Sequence, residues 1–553
     1  RPATRDTPPL EGTRIGDPGS RGQSIVQDTG CSCVVRLAAP TQGRALHEEA
    51  GSRARALMVV GTMSNSGKSI VTAGLCRYFA RLGYRVAPFK AQNMSLNSFV
   101  TAEGGEMGRA QVVQAHAAGI EPHTDMNPVL LKPLGEAGCQ VIVNGQPPGN
   151  FTARSYYTEK RQFRKAAEAA FDRLAGNHEL VIMEGAGSPA EINLRDDDFV
   201  NLSMAEYAGA AAILVADIDR GGVFASIWGT LALLPESQRR LVRGVIINKF
   251  RGDERLLDSG IREIEALTGV PVLGVLPMVR DLGIDDEDSL SLDERPACSA
   301  DTPLVDIVVV RVPHISNFTD FQALESTPRV RVRYETDPSG LGTPDMVVLP
   351  GTRNTCADLD FLHKKGWTPA LRKIAGMITI FGICGGYQML GRRVLDPRGV
   401  EGSAGEQAGL DLLPLETTIE ETKVLTQVEG SFVAGLFAND AVAFRGYEIH
   451  AGRTKVLSDI TSLLQITMRN SKAADQPDGA ADPERLLYGC YVHGVFDLPS
   501  ARSALLAWLC RRKGEERVPI VPDAGPMTAF DRLADLLAQH VDMDRILNIT
   551  RGT

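Results

Sequence analysis

The chain has 553 residues, which is room for two to four domains of ordinary size. Its content of 43% hydrophobic and 23% charged residues is that of a globular protein and excludes a fibrous or wholly disordered one. A formal net charge of −9 argues against nucleic acid as a main partner, and the lack of any run of about 18 apolar residues argues against a membrane-spanning helix.

The first 55 residues differ in composition from the rest of the chain. Residues 1–13 and 16–22 are rich in Arg, Pro, Gly, Asp and Ser, so residues 1–55 are predicted to be a disordered tail. The apolar stretch at 34–39 is too short and interrupted for a signal peptide. The nine cysteines are scattered, and Cys31 and Cys33 are too close for a usual disulfide or zinc pair. These features favour the reducing environment of the cytoplasm.

A phosphate-binding loop is predicted directly after this tail. The apolar run 56–60 indicates a buried strand, and the periodicity of 70–82 indicates a helix, with a glycine-containing loop between them. Backbone N–H groups of such a loop bind phosphate oxygens, its lysine adds positive charge, and the hydroxyl after the lysine binds Mg²⁺. The spacing between the two glycines is one residue longer than in the plain G-x4-G-K-[ST] pattern. The residues assigned here to ATP binding are Gly61, Thr62, Ser66, Gly67, Lys68 and Ser69.

Five further strands, separated by helical stretches, are predicted downstream at 85–90, 180–185, 211–217, 244–249 and 271–276. This alternation is typical of a doubly wound parallel sheet, in which ligands bind at the carboxyl ends of the strands. Lys68, Lys90 and Glu184 all fall at such ends. A carboxylate placed there beside the phosphates is what a magnesium ion requires, so Ser69 and Glu184 are the predicted metal ligands.

An acidic and polar connection separates this region from a second one. Residues 285–289 are nearly all acidic and residues 291–303 are polar, so the boundary is placed there. The first domain is predicted to span 56–291 and the second 304–551. The second contains predicted strands at 306–310, 346–350 and 377–383 and closing helices at 500–513 and 526–547. The predicted fold class is α/β, with two doubly wound sheet domains after the tail.

A cysteine is predicted at a sharp turn between the strand 377–383 and a helix. This arrangement is a nucleophile elbow with cysteine in place of serine, which exposes Cys384 at the sheet end and aims helix N–H groups at it. A short apolar run far downstream ends in His493, and cysteine amidases bring such a pair together in space. The turn at Gly351 and the start of the helix at Gly385 offer backbone N–H groups for an oxyanion hole. A small buried cysteine at a helix start is the structural alternative.

These segments, with the string Gly446-Tyr447-Glu448-Ile449-His450, resemble a class I glutamine amidotransferase domain. The resemblance implies that Cys384 attacks the side-chain amide of glutamine, that His493 shuttles the proton, and that ammonia leaves. That family usually has a glutamate two residues after the histidine, where this chain has Val495. The third member of the triad is therefore open, and Glu448 is the substitute candidate. Loss of that glutamate is a feature of the cobyric acid synthase and cobyrinate diamide synthase branch.

The N-terminal half resembles dethiobiotin synthetase in its longer phosphate loop and cobyric acid synthase in the strings 91–98, 106–111 and 127–133. The resemblance to cobyric acid synthase extends over residues 56–551. It implies that Lys90 and Asn248 help to bind ATP, with Asn248 reading the adenine. It further implies ATP- and glutamine-dependent amidation of four peripheral carboxylates (b, d, e and g) of adenosylcobyrinic acid a,c-diamide, a step of cobalamin biosynthesis. The expected partners are thus ATP, Mg²⁺, glutamine and a corrinoid, with no nucleic acid and no membrane.

Three alternative functions stay open on the sequence. Cobyrinate a,c-diamide synthase performs the same chemistry on two other carboxylates, although the string 90–94 favours the first interpretation. Another P-loop amidoligase, acting on a cell-wall precursor, is the second. A partition or switch ATPase with a decayed amidase domain is the third, and the presence of both Cys384 and His493 argues against it, because its cycle needs no glutaminase.

Overall fold

The computed structural model describes residues 54–133, 138–195, 198–279, 302–402, 404–522 and 526–552. The tail predicted to be disordered therefore lies outside the described residues except for Ala54 and Arg55. The predicted acidic boundary lies outside them as well, except for its last two residues. The predicted domain limits at 56–291 and 304–551 stay predictions.

The described residues form twenty-four strands. In chain order these are β1 Arg55–Gly61, β2 Val86–Phe89, β3 Gln92–Met94, β4 Ser98–Val100, β5 Glu106–Gly108, β6 Val129–Pro133, β7 Gly138–Val143, β8 Gln146–Thr152, β9 Leu180–Glu184, β10 Ala211–Asp217, β11 Val242–Phe250, β12 Val272–Pro277, β13 Val305–Val310, β14 Val330–Glu335, β15 Met346–Leu349, β16 Thr379–Ile383, β17 Arg393–Asp396, β18 Gly405–Ala408, β19 Leu415–Phe432, β20 Val442–Val456, β21 Leu464–Arg469, β22 Lys472–Asp478, β23 Ala480–Asp482 and β24 Leu487–Cys490.

Fourteen α-helices occur in the same described ranges. They are α1 Lys68–Arg81, α2 Arg109–Ala118, α3 Ala153–Asn177, α4 Leu202–Ala208, α5 Val223–Leu233, α6 Glu236–Arg239, α7 Asp258–Thr268, α8 Gln322–Glu325, α9 Thr355–Lys365, α10 Trp367–Ile374, α11 Gly385–Met389, α12 Pro499–Arg512, α13 Pro526–His540 and α14 Met543–Arg551. No helix among them is long and apolar enough to cross a membrane.

The first sheet is parallel and has the strand order β12-β11-β10-β1-β9-β2. Its inner strands are continuous apolar runs, as burial on both faces requires, and β1 is buried at every position after Arg55. Because Val59 of β1 pairs with Glu184 of β9, the acidic end of β9 lies beside the loop that follows β1. The predicted phosphate loop and the predicted carboxylate therefore meet at one edge of this sheet.

The second sheet has the order β14-β13-β15-β16-β24-β23, and only β23 runs antiparallel within it. In this sheet β16 pairs with β24, so that Ile383 lies opposite Cys490. Residues that follow these two strands are neighbours in space although about 110 positions apart in sequence. The predicted α/β class with two doubly wound sheets is confirmed.

A third sheet was not predicted from the sequence. It has the order β18-β17-β19-β21-β22, and the long strand β20 pairs antiparallel with β19. A four-stranded sheet β3-β6-β7-β8 and the hairpin β4–β5 complete the N-terminal half. The strand β20 carries residues 442–456 past the end of β24, and it places Tyr447 and Ile449 beside the second sheet.

The last two helices pack on the first sheet, not on the second. Arg77 and Arg81 of α1 pair with Asp531 and Asp535 of α13 at 2.7 and 2.6 Å. The predicted continuous helix 526–547 is two helices, since the side chain of Asp542 accepts a hydrogen bond from the Arg545 N–H and begins α14 there. The two ends of the described chain thus share one hydrophobic core.

Candidate active sites

Cys384 lies on a strained turn between β16 and α11. Its φ of 51° and ψ of −106° are unusual for any residue with a side chain, as expected at a nucleophile elbow. Cys384 is 6% exposed, and its Sγ donates a weak hydrogen bond to the carbonyl oxygen of Ile449 at 3.7 Å. The backbone N–H of Cys384 donates to the carbonyl of Cys490 at 2.8 Å, which ties the turn to β24.

His493 is held by a buried carboxylate. Its Nδ1 lies 2.7 Å from Oδ2 of Asp320, and the other oxygen of Asp320 accepts from the N–H of Gly494 at 2.9 Å. Because the carboxylate accepts, Nδ1 carries the proton and Nε2 is left for the thiol of Cys384, with which the imidazole interacts. Burial opposes the charged imidazolium, but Asp320 and Cys384 outweigh it and raise the pKa of His493.

Asp320 is the site residue that the sequence did not reveal. It lies in a single turn of 3-10 helix, Phe318–Phe321, which follows β13. Glu448, the substitute candidate, is engaged elsewhere, because its carboxylate pairs with Arg469 and lies 3.9 Å from Nε2 of His450. The geometry therefore favours Asp320 as the third member in place of Glu448. The turn begins eight residues after β13 ends at Val310, so no local pattern in the sequence marked Asp320.

The two glycines predicted to form an oxyanion hole lie beside the pair. A Cβ on Gly351 would lie 2.8 Å from Cε1 of His493, so only glycine leaves room for the ring. A Cβ on Gly385 would lie 3.0 Å from the backbone nitrogen of Thr352. The loop after β15 and the start of α11 are thus in contact next to Cys384, and their role in stabilising an oxyanion stays a prediction.

A cavity of about 310 Å³ opens over Cys384 and His493. This volume accommodates one small polar molecule with its waters. Its walls come from both halves of the chain: Lys132, Gln140 and Pro147 from the N-terminal half, and Arg353, Gln388, Glu401, Lys423 and His450 among others from the C-terminal half.

Ion pairs fasten the two halves beside this cavity. The fully buried Glu106 accepts from Lys132 at 2.5 Å and from Lys423 at 3.3 Å, and Lys423 also donates to Gln140 at 2.7 Å. Burial would raise the pKa of Glu106, but the two ammonium groups outweigh it and lower the pKa to about 2. Burial lowers the pKa of Lys423 to about 8. This wall of the cavity is therefore a joint between the halves.

The second candidate site lies around Glu184 at the edge of the first sheet. Its Oε1 accepts from the hydroxyl of Ser69 and from the ammonium of Lys90, both at 2.8 Å, and its Oε2 accepts from Gln114 at 2.5 Å. Lys68 donates to the carbonyls of Met63 and Gly187 at 3.0 and 3.2 Å. The structure thus brings together the predicted Lys68, Ser69, Lys90 and Glu184.

The loop before α1 has the form of a phosphate cradle. Gly67 has a φ of 96°, and a Cβ there would clash with the amide of Asn248, which donates to the carbonyl of Ser66 at 2.9 Å. In the part of the chain that the structure describes, the hydroxyls of Thr62 and Ser66 are buried with no hydrogen-bond partner. Unpaired buried donors in such a loop are suited to phosphate oxygens.

A further carboxylate at this edge was not singled out from the sequence. Asp217 ends β10 and accepts from Lys249 at 2.8 Å, while the same ammonium donates to the carbonyl of Asn65 at 2.6 Å. Lys249 therefore links the loop to the neighbouring strand ends. The visible signal was an acidic residue at the end of a predicted strand.

The residues present fit a magnesium ion. Mg²⁺ prefers oxygen ligands and usually takes only one or two from protein carboxylates, with phosphates and water supplying the rest. The hydroxyl of Ser69 and the carboxylate of Glu184 lie side by side and supply such oxygens. No group of three or more His, Cys, Asp or Glu side chains that could hold a metal occurs among the described residues.

Two family models match the chain. The CobQ/CobB/MinD/ParA nucleotide binding domain matches residues 57–291, and the CobB/CobQ-like glutamine amidotransferase domain matches residues 306–501. The first contains the phosphate loop and Glu184, and the second contains Asp320, Cys384 and His493. The two matches therefore coincide with the two candidate sites.

Curated relatives match nearly from end to end. The cobyric acid synthase of Pelotomaculum thermopropionicum is 47% identical over 505 residues, covering 89% of this chain and 96% of that protein. The cobyric acid synthase of Klebsiella pneumoniae subsp. pneumoniae is 48% identical over 503 residues, covering 90% and 98%. Among solved structures, PurLQS from Thermotoga maritima covers 42% of this chain and 98% of that one at 15% identity, and its TM-score of 0.26 is too low to support an argument.

Proposed function

Because this chain belongs to the cobyric acid synthase family, we propose that it converts adenosylcobyrinic acid a,c-diamide to adenosylcobyric acid. The reaction amidates the b, d, e and g carboxylates with ATP and glutamine, and we place it in the cytoplasm. The observation that carries the proposal is the 47% identity over 505 residues, because it extends across both candidate sites. A relative of only one half would support nucleotide binding or glutamine hydrolysis alone.

At the amidotransferase site, Cys384 is the nucleophile. Its sulfur attacks the side-chain carbonyl of glutamine, while His493 transfers a proton to the leaving nitrogen, which departs as ammonia. Backbone N–H groups at Gly351 and Gly385 face the developing oxyanion. Water then cleaves the glutamyl thioester with His493 as the base, and glutamate leaves. Asp320 keeps the imidazole in the tautomer and orientation that both steps need.

At the nucleotide site, a substrate carboxylate attacks the γ-phosphorus of ATP and ADP leaves, which forms an acyl phosphate. Lys68 and Lys90 place positive charge beside the phosphates, and the buried hydroxyls of Thr62 and Ser66 supply hydrogen bonds to them. Ser69 and Glu184 would hold Mg²⁺, which when bound neutralises charge on the phosphoryl group. Ammonia then attacks the acyl carbon, and phosphate leaves as the amide forms.

Ammonia must reach the acyl phosphate before water does. The cavity over Cys384 has a wall built from Lys132, Gln140 and Lys423, at the joint between the halves. This contact supports transfer inside the protein, because residues of the nucleotide half line the same cavity as Cys384.

The test is product analysis by mass spectrometry with purified protein, ATP, Mg²⁺ and glutamine. With adenosylcobyrinic acid a,c-diamide we expect a product with four new amides and stoichiometric formation of ADP and glutamate. If only two new amides form, and only when the corrinoid supplied carries no amides, the chain instead catalyses the cobyrinate a,c-diamide synthase reaction. Absence of ATP turnover with every corrinoid in a protein that hydrolyses glutamine would contradict amidation altogether.

Replacing Asp320 by asparagine is expected to lower kcat/KM for glutamine hydrolysis on the order of a thousandfold, because the imidazolium of His493 loses its carboxylate. Asp320 raises the pKa of His493, so its replacement should lower that pKa. The alkaline limb of the pH profile, where the imidazolium loses its proton, should therefore move to lower pH. Both quantities are measured by glutamate release over a pH series.

The matched control is Glu448→Gln, which removes the other candidate carboxylate. It should leave the alkaline limb in place, because its carboxylate pairs with Arg469. If the alkaline limb shifts in Glu448→Gln but not in Asp320→Asn, Glu448 and not Asp320 is the third member of the triad.

A further inference from the structure

Arg353 is a buried cation whose guanidinium lacks hydrogen bonds at two nitrogens, as far as the described residues go. It follows Gly351 and Thr352 in the loop after β15, and its backbone N–H donates to the carbonyl of His314 at 3.0 Å. The residue is 8% exposed, and within the described residues its Nε and Nη2 have no hydrogen-bond partner. Burial lowers its pKa, with opposing contributions from Glu401, Glu106 and Asp396. Because a buried guanidinium without hydrogen bonds is costly, this arrangement calls for an anionic ligand.

The place of Arg353 limits what that anion can be. Arg353 lines the cavity that contains Cys384 and His493, and the two residues before it are those that contact His493 and Gly385. An anion bound by Arg353 is therefore part of the molecule that reacts with the thiol of Cys384, or part of a second molecule in the same cavity. The phosphate loop lies in the other sheet and has its own lysines, so the nucleotide does not need this arginine.

Glu401 supplies a negative charge to the same cavity. Its carboxylate accepts from the N–H of Thr355 at 2.7 Å, and both residues line the cavity. Burial raises the pKa of Glu401, while Arg353 acts against this increase. Among the charged side chains that line the cavity, Arg353 and Glu401 are thus an interacting pair of opposite sign.

We propose that Arg353 binds the α-carboxylate of glutamine and that Glu401 binds its α-ammonium group. Glutamine carries these two charges at one end and the reacting amide at the other, about 5 Å away by bond lengths. A planar guanidinium matches a carboxylate with two parallel hydrogen bonds, which a lysine cannot reproduce. This inference rests on the proposed glutaminase activity and names the residues that select its substrate.

The experiment compares two substrates in the full-length protein. γ-Aminobutyramide is glutamine without the α-carboxylate, and glutaramate is glutamine without the α-amino group. In the wild type we expect kcat/KM to fall about 100-fold from glutamine to γ-aminobutyramide, since the site loses a charged partner. Arg353→Met should lower kcat/KM for glutamine by a similar factor, mainly through KM, and should not lower it further for γ-aminobutyramide.

Glu401→Gln is the second variant, and it is expected to affect recognition of the α-amino group instead of the α-carboxylate. It should lose most of its preference for glutamine over glutaramate and keep its preference over γ-aminobutyramide. Arg453→Met is the matched control, because Arg453 of β20 is exposed, pairs with Glu420 at 3.4 Å and is not among the residues that line the cavity. We expect this control to change the ratios of kcat/KM between glutamine and the two analogues by no more than about twofold, because exposed ion pairs contribute little.

Amidation with ammonium salts separates the possible failures. Arg353→Met should retain it, which shows a folded protein with an intact nucleotide site. If Arg353→Met lowers kcat/KM equally for glutamine and γ-aminobutyramide, or leaves both unchanged, the assignment of Arg353 is overturned while the proposed function stands. If the wild type hydrolyses no glutamine, the proposed function fails instead.

Discussion

Replacing Cys384 by alanine is expected to abolish glutamine-dependent amidation while amidation with ammonium salts persists. The sulfur is the only proposed nucleophile, and its loss removes the covalent route to ammonia, a loss of a factor on the order of ten thousand or more in glutamine hydrolysis. The acyl phosphate forms in the other half of the chain, so an external supply of ammonia bypasses the defect. The measurement is amide formation with each nitrogen donor at saturating ATP.

Cys510→Ala is the matched control for this variant. Cys510 is a buried cysteine of α12, and burial raises the pKa of its thiol, which suits packing and not chemistry. Loss of the Cys510 thiol should change the rate of amide formation by no more than about twofold with either nitrogen donor, provided that the surrounding packing is preserved. An equal loss of activity with glutamine and with ammonia in a folded Cys384→Ala protein would count against Cys384 as the nucleophile.

Lys68→Ala and Glu184→Gln should each abolish amidation with glutamine and with ammonia alike, because both donors need the same acyl phosphate. Each loss of charge beside the phosphates is expected to cost several kcal/mol of transition-state stabilisation, on the order of a thousandfold in rate. Lys165→Ala, which removes an exposed lysine of α3, is the control and should retain activity. The measurements are ADP release and amide formation.

Glutamine hydrolysis without ATP serves as the test of folding in these variants. Glu184 is 1% exposed, and its substitution breaks the buried ion pair with Lys90, which can cost about 3–5 kcal/mol of stability. A variant that keeps basal glutaminase but lacks ATP turnover has lost chemistry and not structure. Near-normal amidation with ammonia in either variant would place the nucleotide elsewhere in the chain.

The parallel strands and the two loops at their ends could be predicted from the sequence because their signals are local. A strand buried on both faces is a continuous apolar run, so β1, β9, β10 and β16 stand out without any knowledge of their partners. The phosphate loop is likewise contained in nine consecutive residues, 61–69.

The missed features depend on contacts between distant segments. Asp320 and His493 are 173 residues apart, and nothing in either local sequence specifies the other. The strand β19 has one face partly exposed and is rich in Glu and Thr, so it lacks a continuous apolar run. The amphipathic pattern of α13 predicted a helix but not which of the two sheets it covers.

The packing of α13 and α14 on the first sheet bears on how the protein is made. One hydrophobic cluster joins Leu57 of β1 and Phe79 of α1 to Leu537 and Ile546 near the end of the chain. At about 5–20 residues per second, translation delivers those last helices tens of seconds after the strand they cover. During this interval an apolar face of the nascent nucleotide half stays open to chaperones and to other chains. A truncation just before α13 would leave that face uncovered permanently, although both chemical centres would be present.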